Sequence, residues 1–299
     1  MTSPTLTKKQ TSLSSVSFGR KAKDRTVQAL VYLAFLLALI PLVSVLWTVV
    51  KNGAGRFDGV FFGHSMNGVA GKDAGGGAYH AILGTLEQVL ITTAIAVPIA
   101  VLTAVYLVEY GAGGRLARVI SFFVDVMTGI PSIVAGLFVL ALWLLALGFS
   151  FSGFAGALAL TILMIPTVVR ATEEMLKLVP NDLREASYAL GVPRWRTICF
   201  VVLPTALPGI ITGIMLAVAR VMGETAPLLL TIFVTKAINT NPFAEPQASL
   251  PTFIWDQAAD PNQNSIDRAW AGALVLILII MLLNLAARFV ARRFKATGR

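Results

Sequence analysis

The sequence predicts an all-α membrane protein with six transmembrane helices. Hydrophobic residues make up 56% of the 299 residues and charged residues only 13%, about half the charged share of an average soluble domain. So few charges are not enough to cover the surface of a water-soluble chain of this length. The charges that are present give a formal net charge of +9, and they lie mainly beside long apolar runs and not within them.

The first two predicted spans are residues 26–50 and 88–108, and neither contains a charged residue. At about 1.5 Å per residue, each run is long enough to cross about 30 Å of hydrocarbon as a helix. Pro98 inside the second run is tolerable because neighbouring helices can satisfy the carbonyl group that it leaves free. The first run exceeds the apolar segment of a signal peptide, about 7–15 residues, so we expect it to be retained.

Four further spans are predicted from the apolar runs 126–169, 206–235 and 269–287. The first of these runs is too long for one helix, and the glycine-containing segment 148–153 divides it into the third and fourth spans. The second run gives the fifth span, which carries Arg220 and Glu224, and the third run gives the sixth. Six spans place the two ends of the chain on the same side of the membrane.

The distribution of basic residues predicts that both termini are cytoplasmic. Lys and Arg in short loops mark the cytoplasmic side of a membrane protein. Seventeen of the 24 Lys and Arg residues lie on the side of the termini, five lie on the opposite side, and two lie within spans. The basic leader 1–25 and the basic tail 291–299 are therefore expected to be cytoplasmic, with 26–50 as the first helix of a multi-pass protein.

Two stretches on the opposite side differ in character. Residues 51–81 contain three consecutive glycines, 75–77, and are expected to form a flexible loop. Residues 236–267 contain four prolines and are expected to form an ordered but irregular cap. Neither stretch has a pattern typical of catalysis.

The composition also argues against several classes of function. A single cysteine excludes a disulfide framework and a zinc site of paired cysteines, and His64 and His80 lack the spacing of metal ligands. The basic residues adjoin apolar runs and do not form a stripe on a compact domain, so no nucleic-acid partner is expected. We therefore expect no catalytic residue, no metal site and no cofactor-binding site in this chain.

The segment 180–204, between the fourth and fifth spans, is predicted to contain a short helix. Asn181 or Asp182 is expected to cap the start of this helix, and Gly191 to end it. Glu185 is expected to be exposed on its surface. The pattern alone leaves two interpretations of this helix open. It could be a contact for a soluble partner, or an interfacial helix that rests on lipid headgroups.

This segment also carries a pattern of residues at fixed spacing, namely Glu185, Ala186, Ser187, Gly191, Val201, Leu203 and Pro204. The pattern resembles the EAA loop in the permease subunits of ABC importers, from which it departs by Ser187 in place of alanine and Val201 in place of isoleucine. In that family the short helix inserts into a cleft of the ATPase subunit. The resemblance therefore implies that the first four of these residues lie at the coupling interface.

The resemblance extends over about residues 80–290, for which it implies the core domain of the type I ABC importer permease fold with a cytoplasmic coupling helix. The runs 129–137 and 223–227 are similar to the phosphate-specific permeases of this family, and among these to the PstA-type subunit. The function that the resemblance implies is import of inorganic phosphate across the bacterial plasma (inner) membrane by alternating access.

The same resemblance implies several partners. No phosphate-binding loop of the Gly-x-x-x-x-Gly-Lys-Ser/Thr kind occurs in the sequence, so the energy is expected to come from another polypeptide. The implied assembly is a heterodimer with a PstC-type permease, two PstB-type ATPase subunits that bind ATP and Mg²⁺, and an extracytoplasmic PstS-type phosphate-binding protein, all around a chain embedded in the lipid bilayer.

Three ionisable residues within predicted spans are candidates for binding the transported anion, namely Arg170, Arg220 and Glu224. A charged residue within a span costs about 2.5–3.5 kcal/mol on insertion scales, which makes it a functional candidate. A guanidinium group suits phosphate because it stays charged and presents a planar fork of donors. Two alternatives remain open: Arg170 snorkels to the headgroups, or Arg220 and Glu224, four residues apart, form a self-neutralising ion pair.

Helix-breaking residues accompany these charges. Pro166 precedes Arg170 and Pro227 follows Glu224, so we expect local irregularity at both places. The run 129–132 is expected either to break the third span and direct backbone N–H groups toward an anion or to form a packing kink. Asp125 ranks below the other charged residues because it lies near the start of its span.

Other functions remain open on the sequence. A permease for sulfate or molybdate would share the coupling loop and differ in the pocket, although Glu224 as a proton acceptor favours phosphate, which can carry a proton. A membrane-embedded hydrolase would need a nucleophile with a base or a metal cluster, and no histidine lies within a predicted span. A passive channel would not need the coupling-loop pattern in residues 185–204.

Overall fold

The computed structural model describes residues 18–111 and 113–296, and this part of the chain consists of helices and connecting loops. The α-helices are α1 (Phe18–Gly53), α2 (Gly59–Gly63), α3 (Tyr79–Val105), α4 (Arg115–Gly129), α5 (Ser132–Val139), α6 (Gly153–Lys177), α7 (Asn181–Ala189), α8 (Arg194–Thr197), α9 (Leu203–Met222), α10 (Ala226–Thr231), α11 (Leu250–Ala259) and α12 (Gln263–Ala296). A 3₁₀ turn follows α1, and π-helical turns continue α3, continue α5 and connect α8 to α9.

The chain divides into two compact units at Thr48. In the described residues the first unit is the larger part of α1, which is apolar along most of its length and contains Pro41. This helix begins at Phe18, so it is longer than the predicted span 26–50 and includes part of the basic leader. The second unit, from Val49 onward, contains all the other helices and every candidate site residue.

Five helical segments in the described residues are long and apolar enough to cross a membrane, and a bent pair of helices makes a sixth. They are α1, α3 with its π turn, α6, the continuous run from α8 to α9, and α12, while α4 and α5 form the bent pair. The number agrees with the six predicted spans. The largest differences from the prediction lie in the third and fifth spans, which are both interrupted.

Small residues allow the membrane helices to pack closely. On α3, Ala96, Ala100 and Ala104 are fully buried at four-residue spacing, so they lie on one face of the helix. Among the described helices, the most extensive contact is between α3 and α6. α6 also packs on α9, where a methyl group added to Gly213 would lie 2.6 Å from the Cβ atom of Ala171. Lipid offers no hydrophobic force between helices, so such close approach supplies much of their attraction.

The glycine-rich segment before α3 is packed and ordered, so the prediction of a flexible loop is wrong. Arg56 donates to the Gly76 carbonyl at 3.0 Å, and the Ala78 amide donates to the Phe61 carbonyl at 2.8 Å. A methyl group added to Gly77 would overlap the carbonyl oxygen of Phe61. The glycines therefore permit close approach of two backbone segments, a use that composition does not distinguish from flexibility.

The second non-membrane stretch is ordered, as expected, and it contains α11. Ser249 caps this helix in a reciprocal arrangement with Thr252. Beyond the helix, hydrogen bonds from the backbone and side chain of Asn262 hold the pKa of the Asp260 carboxyl group below its ordinary value. That contribution to stability is present above the unfolded pKa of the carboxyl group and is lost as the pH falls through the folded value.

Arg268, near the start of α12, joins these two stretches. Its side chain is fully buried and donates to the Gln257 side chain at 2.8 Å and to the Ser265 hydroxyl at 2.9 Å. Three backbone carbonyl groups of the glycine-rich segment, those of Gly71, Asp73 and Gly75, accept its other hydrogen bonds. One guanidinium group thus holds the glycine-rich segment, α11 and α12 together.

Candidate functional site

The third span breaks where the sequence places glycine and proline together. α4 ends at Gly129 and α5 begins at Ser132, and the pair is bent by 106°. Between them Ile130 has an extended backbone, with φ −71° and ψ 128°. The ring of Pro131 disfavours a helical conformation for the residue before it, which accounts for the break. The run 129–132 therefore breaks the third span and changes the direction of the chain.

The fifth predicted span, 206–235, is not one helix. α9 ends before Gly223, and α10 begins three residues later. Pro227 explains the interruption because it has no N–H to donate to the Gly223 carbonyl and its ring would clash with a continuing helix. Arg220 and Glu224 therefore do not lie on one continuous helix, and the irregularity expected at Pro227 is confirmed.

The two runs that resemble phosphate permeases meet in the structure. Gly136 belongs to the run 129–137 and lies on α5, and Pro227 belongs to the run 223–227 and lies at the start of α10. A methyl group added to Gly136 would lie 2.6 Å from the Cα atom of Pro227. This contact requires glycine, and it brings the two interrupted helices side by side.

Arg170 on α6 is bonded to groups of α4 and of its own helix. Its Nη2 atom donates to Asp125 Oδ1 at 2.5 Å and to the Ser121 hydroxyl at 2.9 Å, both on α4. Its Nη1 atom donates to Glu173 Oε2 at 2.5 Å, one turn further along α6. Two carboxylates of the chain therefore neutralise this guanidinium group. Asp125, ranked low from the sequence, is one of them and joins α4 to α6.

Arg220 lies in a different environment. It is in the last turn of α9, where a cation interacts favourably with the free carbonyl groups, and its side chain is exposed. Among the residues that the structure describes, none is hydrogen-bonded or ion-paired to its guanidinium group. Glu224 is half-buried and also has no ion pair in that part of the chain. The self-neutralising pair considered from the sequence is not formed.

The predicted helix of the segment 180–204 is α7. Its start differs from the prediction, because Asn181 and Asp182 are its first two residues and no side chain caps it. Its end agrees with the prediction. Gly191 has φ +75°, a left-handed conformation that glycine adopts without strain, and its amide donates to the Tyr188 carbonyl at 2.9 Å.

Three of the four predicted coupling residues are accessible and one is not. Glu185 and Ala186 are exposed on α7, and Gly191 is exposed just beyond its end. Ser187 is buried, and its hydroxyl group lies 2.8 Å from the hydroxyl group of Thr197 on α8. Ser187 therefore fixes α7 to the helix that leads into α9 and does not form part of the accessible surface.

An ion pair that sequence reasoning missed holds the other side of α7. Arg184 pairs with Glu109 at the end of the π turn that continues α3, with 2.7 Å between Nη2 and Oε1. The backbone carbonyl of Glu109 also accepts a hydrogen bond from Arg194, whose guanidinium group lies over the Tyr110 ring. From the sequence, Glu109 only marked the end of a span and Arg184 was only counted as a basic residue. No local pattern links residues 75 positions apart.

A buried polar cluster near the start of α3 was also missed. Gln88 donates to Gln247 at 2.9 Å, and Gln247 donates to Glu87 at 2.5 Å. A methyl group added to Gly84 would overlap the carbonyl oxygen of Ala248, so the segment before α11 packs directly on α3. Two adjacent polar residues inside an apolar helix were the only signal of this contact in the sequence.

The described residues contain no group of three or more His, Cys, Asp and Glu side chains arranged to hold a metal ion. His80 is buried at the start of α3, where its ring packs against Phe253, and His64 is exposed. In the described part of the chain, neither histidine is hydrogen-bonded or ion-paired to a residue of α7 or α9.

Comparison with known proteins shows the family. Residues 96–296 match the family of binding-protein-dependent transport system inner membrane components. The phosphate transport system permease protein PstA 1 of Mycobacterium tuberculosis is 49% identical over 286 residues, which cover 95% of this chain and 93% of that protein. The PstA proteins of Mycobacterium leprae and Pasteurella multocida are 46% and 40% identical over 94% and 90% of this chain, and over 93% and 94% of their own lengths.

Solved structures show the same fold at lower sequence identity. A chain of a bacterial alginate ABC transporter matches with a TM-score of 0.64 and 15% identity, covering 92% of this chain and 97% of its own. A chain of the MetNI methionine ABC transporter in an inward-facing conformation matches with a TM-score of 0.59 and 21% identity, covering 71% and 93%. At these identities the likeness concerns the fold alone.

The fold is thus that of a type I ABC importer permease, as the sequence predicted. The chain belongs to the family of binding-protein-dependent transport system inner membrane components, among the permease proteins of the PstA type. Members of this family are multi-pass membrane components of multi-subunit transporters, and the permease component is not the catalytic one.

Proposed function

We propose that this chain is the permease subunit of an ATP-driven importer that carries inorganic phosphate across the bacterial inner membrane by alternating access. Its likeness to phosphate transport permeases over nearly the whole chain supports this substrate. The observation that carries the proposal is the absence of a bonded partner for Arg220 in the part of the chain that the structure describes. In the described residues this guanidinium group has no bonded partner, although it lies in an apolar helix.

Two other arginines near the membrane core are, by contrast, bonded within the chain. Arg170 is bonded to two carboxylates, and Arg268 is bonded to five groups. Leaving a guanidinium group unpaired in hydrocarbon costs several kcal/mol or more, so Arg220 needs a partner from outside the described chain. A phosphate ion that passes along the pathway supplies two oxygen atoms with the geometry of the guanidinium fork.

The surroundings of Arg220 suit an ion that must be released again. Arg220 lies in the last turn of α9, next to the interruption before α10, where Glu224 is half-buried and unpaired among the described residues. A carboxylate beside the site can accept a hydrogen bond from the P–OH group of a protonated phosphate ion, and it repels a fully deprotonated one. Arg170, whose charge is already neutralised within the chain, supports the pathway wall and is not its principal ligand.

The assembly that we propose supplies what this chain lacks. A second, PstC-type permease completes the pathway, two PstB-type ATPase subunits bind ATP and Mg²⁺, and a PstS-type binding protein delivers phosphate outside. α7 faces the ATPase with Glu185, Ala186 and Gly191, which are all exposed. This arrangement requires both termini of the chain and α7 to be cytoplasmic, in agreement with the distribution of Lys and Arg.

Uptake of radiolabelled phosphate and sulfate by cells that carry this subunit with its partners tests the proposal. We expect ATP-dependent uptake of phosphate and little uptake of sulfate. Arg220→Gln removes the charge and the fork, so we expect phosphate uptake to fall by about 100-fold or more, the effect of losing a charge-assisted pair of about 3 kcal/mol. The variant protein should remain inserted and bound to its partners.

Arg118→Gln is a matched control, because Arg118 is exposed on α4 and its side chain has no hydrogen bond or ion pair within the described residues. Its phosphate uptake should match that of the unaltered protein. Uptake near the normal rate in Arg220→Gln would remove Arg220 from the pathway. Preferential uptake of sulfate or molybdate would replace phosphate by another oxyanion as the substrate.

A further inference from the structure

One guanidinium group joins α7 to the ends of two membrane helices. Arg184 on α7 contacts Glu109 in the π turn that continues α3, with 2.7 Å between Nη2 and Oε1 and 3.2 Å between Nε and Oε1. The same side chain donates to the carbonyl groups of Leu176 and Val179, at 3.0 and 2.7 Å. These carbonyl groups belong to the end of α6 and the residues just beyond it, so Arg184 holds α3, α6 and α7 at a single point.

The pair is enclosed by the protein. Glu109 is 4% exposed and Arg184 is 13% exposed, so both charges have lost most of their water. A buried ion pair adds little net stability because desolvation offsets the attraction, but removal of one partner leaves the other charge buried and unpaired. What such a pair does provide is a fixed geometry between the elements that carry it.

The rest of α7 is attached by weaker means. Ser187 and Thr197 share a hydrogen bond between hydroxyl groups, which fixes α7 to α8. Among the side chains that the structure describes, the pair of Arg184 and Glu109 is the only ion pair that connects α7 to another element. Glu185 and Ala186 lie next to Arg184 in the chain but are exposed. The helix therefore has an anchored side toward the membrane helices and an accessible side.

We propose that Arg184 and Glu109 are positioning residues that transmit the movement of α7 to α3 and α6. The inference rests on the proposed function, in which an ATPase subunit moves α7 when it binds and hydrolyses ATP. Because the guanidinium group is bonded to α3 and α6 together, a displacement of α7 carries both helix ends with it. Without the pair, α7 moves while α3 stays in place, and hydrolysis continues without transport.

Glu109→Gln tests this inference in the whole transporter reconstituted in liposomes. The substitution keeps the shape of the side chain and removes its charge. We expect the ATPase subunits to copurify in the normal amount and to hydrolyse ATP, while the number of phosphate ions taken up per ATP falls by about tenfold, within the usual range of coupling between two sites. Glu109→Asp, which keeps the charge at a shorter reach, should give an intermediate ratio.

Lys177→Gln is the matched control. Lys177 lines the same cavity of about 340 Å³ as Glu109 and Arg184, but its ion-pair partner, Glu173, lies on its own helix. The loss of this charge should leave the ratio of phosphate to ATP unchanged. A spin-label distance between α7 and the end of α3 gives a second measurement, which should change with ATP in Glu109→Gln and stay constant in the control and in the unaltered protein.

The outcomes of these measurements decide the inference. A normal ratio of phosphate to ATP in Glu109→Gln would overturn it. If Glu109→Gln does not assemble, Glu109→Asp is tested in its place. A reduced ratio of phosphate to ATP in the assembled Glu109→Asp variant supports the proposal. A normal ratio assigns the ion pair to assembly alone. Failure of the proposed function can be distinguished from failure of this inference, because in the first case the unaltered transporter would show no ATP-dependent phosphate uptake at all.

Discussion

Among individual residues, Arg170 and Arg220 show how one residue type serves two purposes. From the sequence both were assigned to membrane spans, Arg170 directly after the uncharged run 126–169 and Arg220 inside the run 206–235. Arg170 has Asp125 and Glu173 as partners at 2.5 Å, whereas Arg220 has no partner in the described part of the chain. A guanidinium group that is already neutralised stabilises the fold, and one that is unpaired is available to a ligand.

We therefore expect Arg170→Gln to affect stability more than transport. Loss of the hydrogen bonds to Asp125, Glu173 and Ser121 leaves Asp125 without a cation, whereas Glu173 keeps its pair with Lys177. Because Asp125 is largely exposed, the free energy of unfolding should fall by only about 1 kcal/mol. The measurement is the Tm of the purified protein in detergent together with uptake per folded molecule. Arg220→Gln should keep its Tm. If Arg170→Gln kept its Tm and lost uptake, then Arg170 would be a ligand of the transported ion.

Among the helices, the breaks decide which surfaces come together. Pro131 ends α4 and starts α5 in a new direction, and Pro227 separates α9 from α10. The two interrupted helices then meet at Gly136, where no side chain would fit. α7 is defined in the same way by its terminus, since Gly191 lets the chain turn away in a left-handed conformation.

Gly191→Val should weaken coupling because valine does not adopt φ +75° without a strain of about 1–2 kcal/mol or more. The strain is relieved by a displaced end of α7, so we expect less ATPase to copurify and less phosphate uptake per ATP. Gly191→Asn is the matched variant, since asparagine occupies the left-handed region more easily, and it should keep most of the coupling. Equal coupling in the two variants would contradict this role for the backbone at Gly191.

For the molecule as a whole, two arginines hold distant segments in place at opposite ends of the membrane core. Arg184 ties α7 to α3 and α6, and Arg268 ties the glycine-rich segment before α3 to α11 and α12. Arg184 binds two backbone carbonyl groups and Arg268 binds three. Arginine suits this purpose because its guanidinium group is the only side-chain group with five N–H donors in one plane.

Replacing Arg268 by lysine should loosen one end of the molecule and leave the core intact. The carbonyl groups of Gly71, Asp73 and Gly75 would lose donors, so amide hydrogens of residues 75–79 should exchange at least tenfold faster, equivalent to about 1.4 kcal/mol of local stability. Amides of α3 and α6 should keep their exchange rates. Lys72→Gln, an exposed change in the same segment, is the control, and unchanged exchange at 75–79 in Arg268→Lys would refute this role.

Much of the fold was predictable because membrane insertion imposes a simple rule on the sequence. A helix must satisfy its own backbone in hydrocarbon and needs about 20 apolar residues, so the number of spans and most of their positions follow from uncharged runs. The proline at 131 and the glycine at 191 were informative for the same reason, since each acts through local backbone geometry. The residues of the coupling pattern were likewise visible, because they lie close together in the chain.

The parts that were missed depend on contacts between distant residues. Arg184 and Glu109 are 75 positions apart, and Gln88 and Gln247 are 159 positions apart. The flexible loop that the glycines of 75–77 suggested is in fact packed, because Arg56 and Arg268 bind its carbonyl groups. Which side chains meet is fixed by the packing of helices, and hydropathy along the chain does not contain that information.

Local residue patterns were therefore enough to establish a six-span α-helical permease with a short helix between its fourth and fifth spans. The packing of the helices was needed to show that Arg170 is neutralised, that Arg220 is unpaired among the described residues, and that α7 is bonded to α3 and α6 through Arg184. This difference arises because burial in lipid acts on each segment separately, whereas the pairing of charges depends on how the segments are arranged around one another.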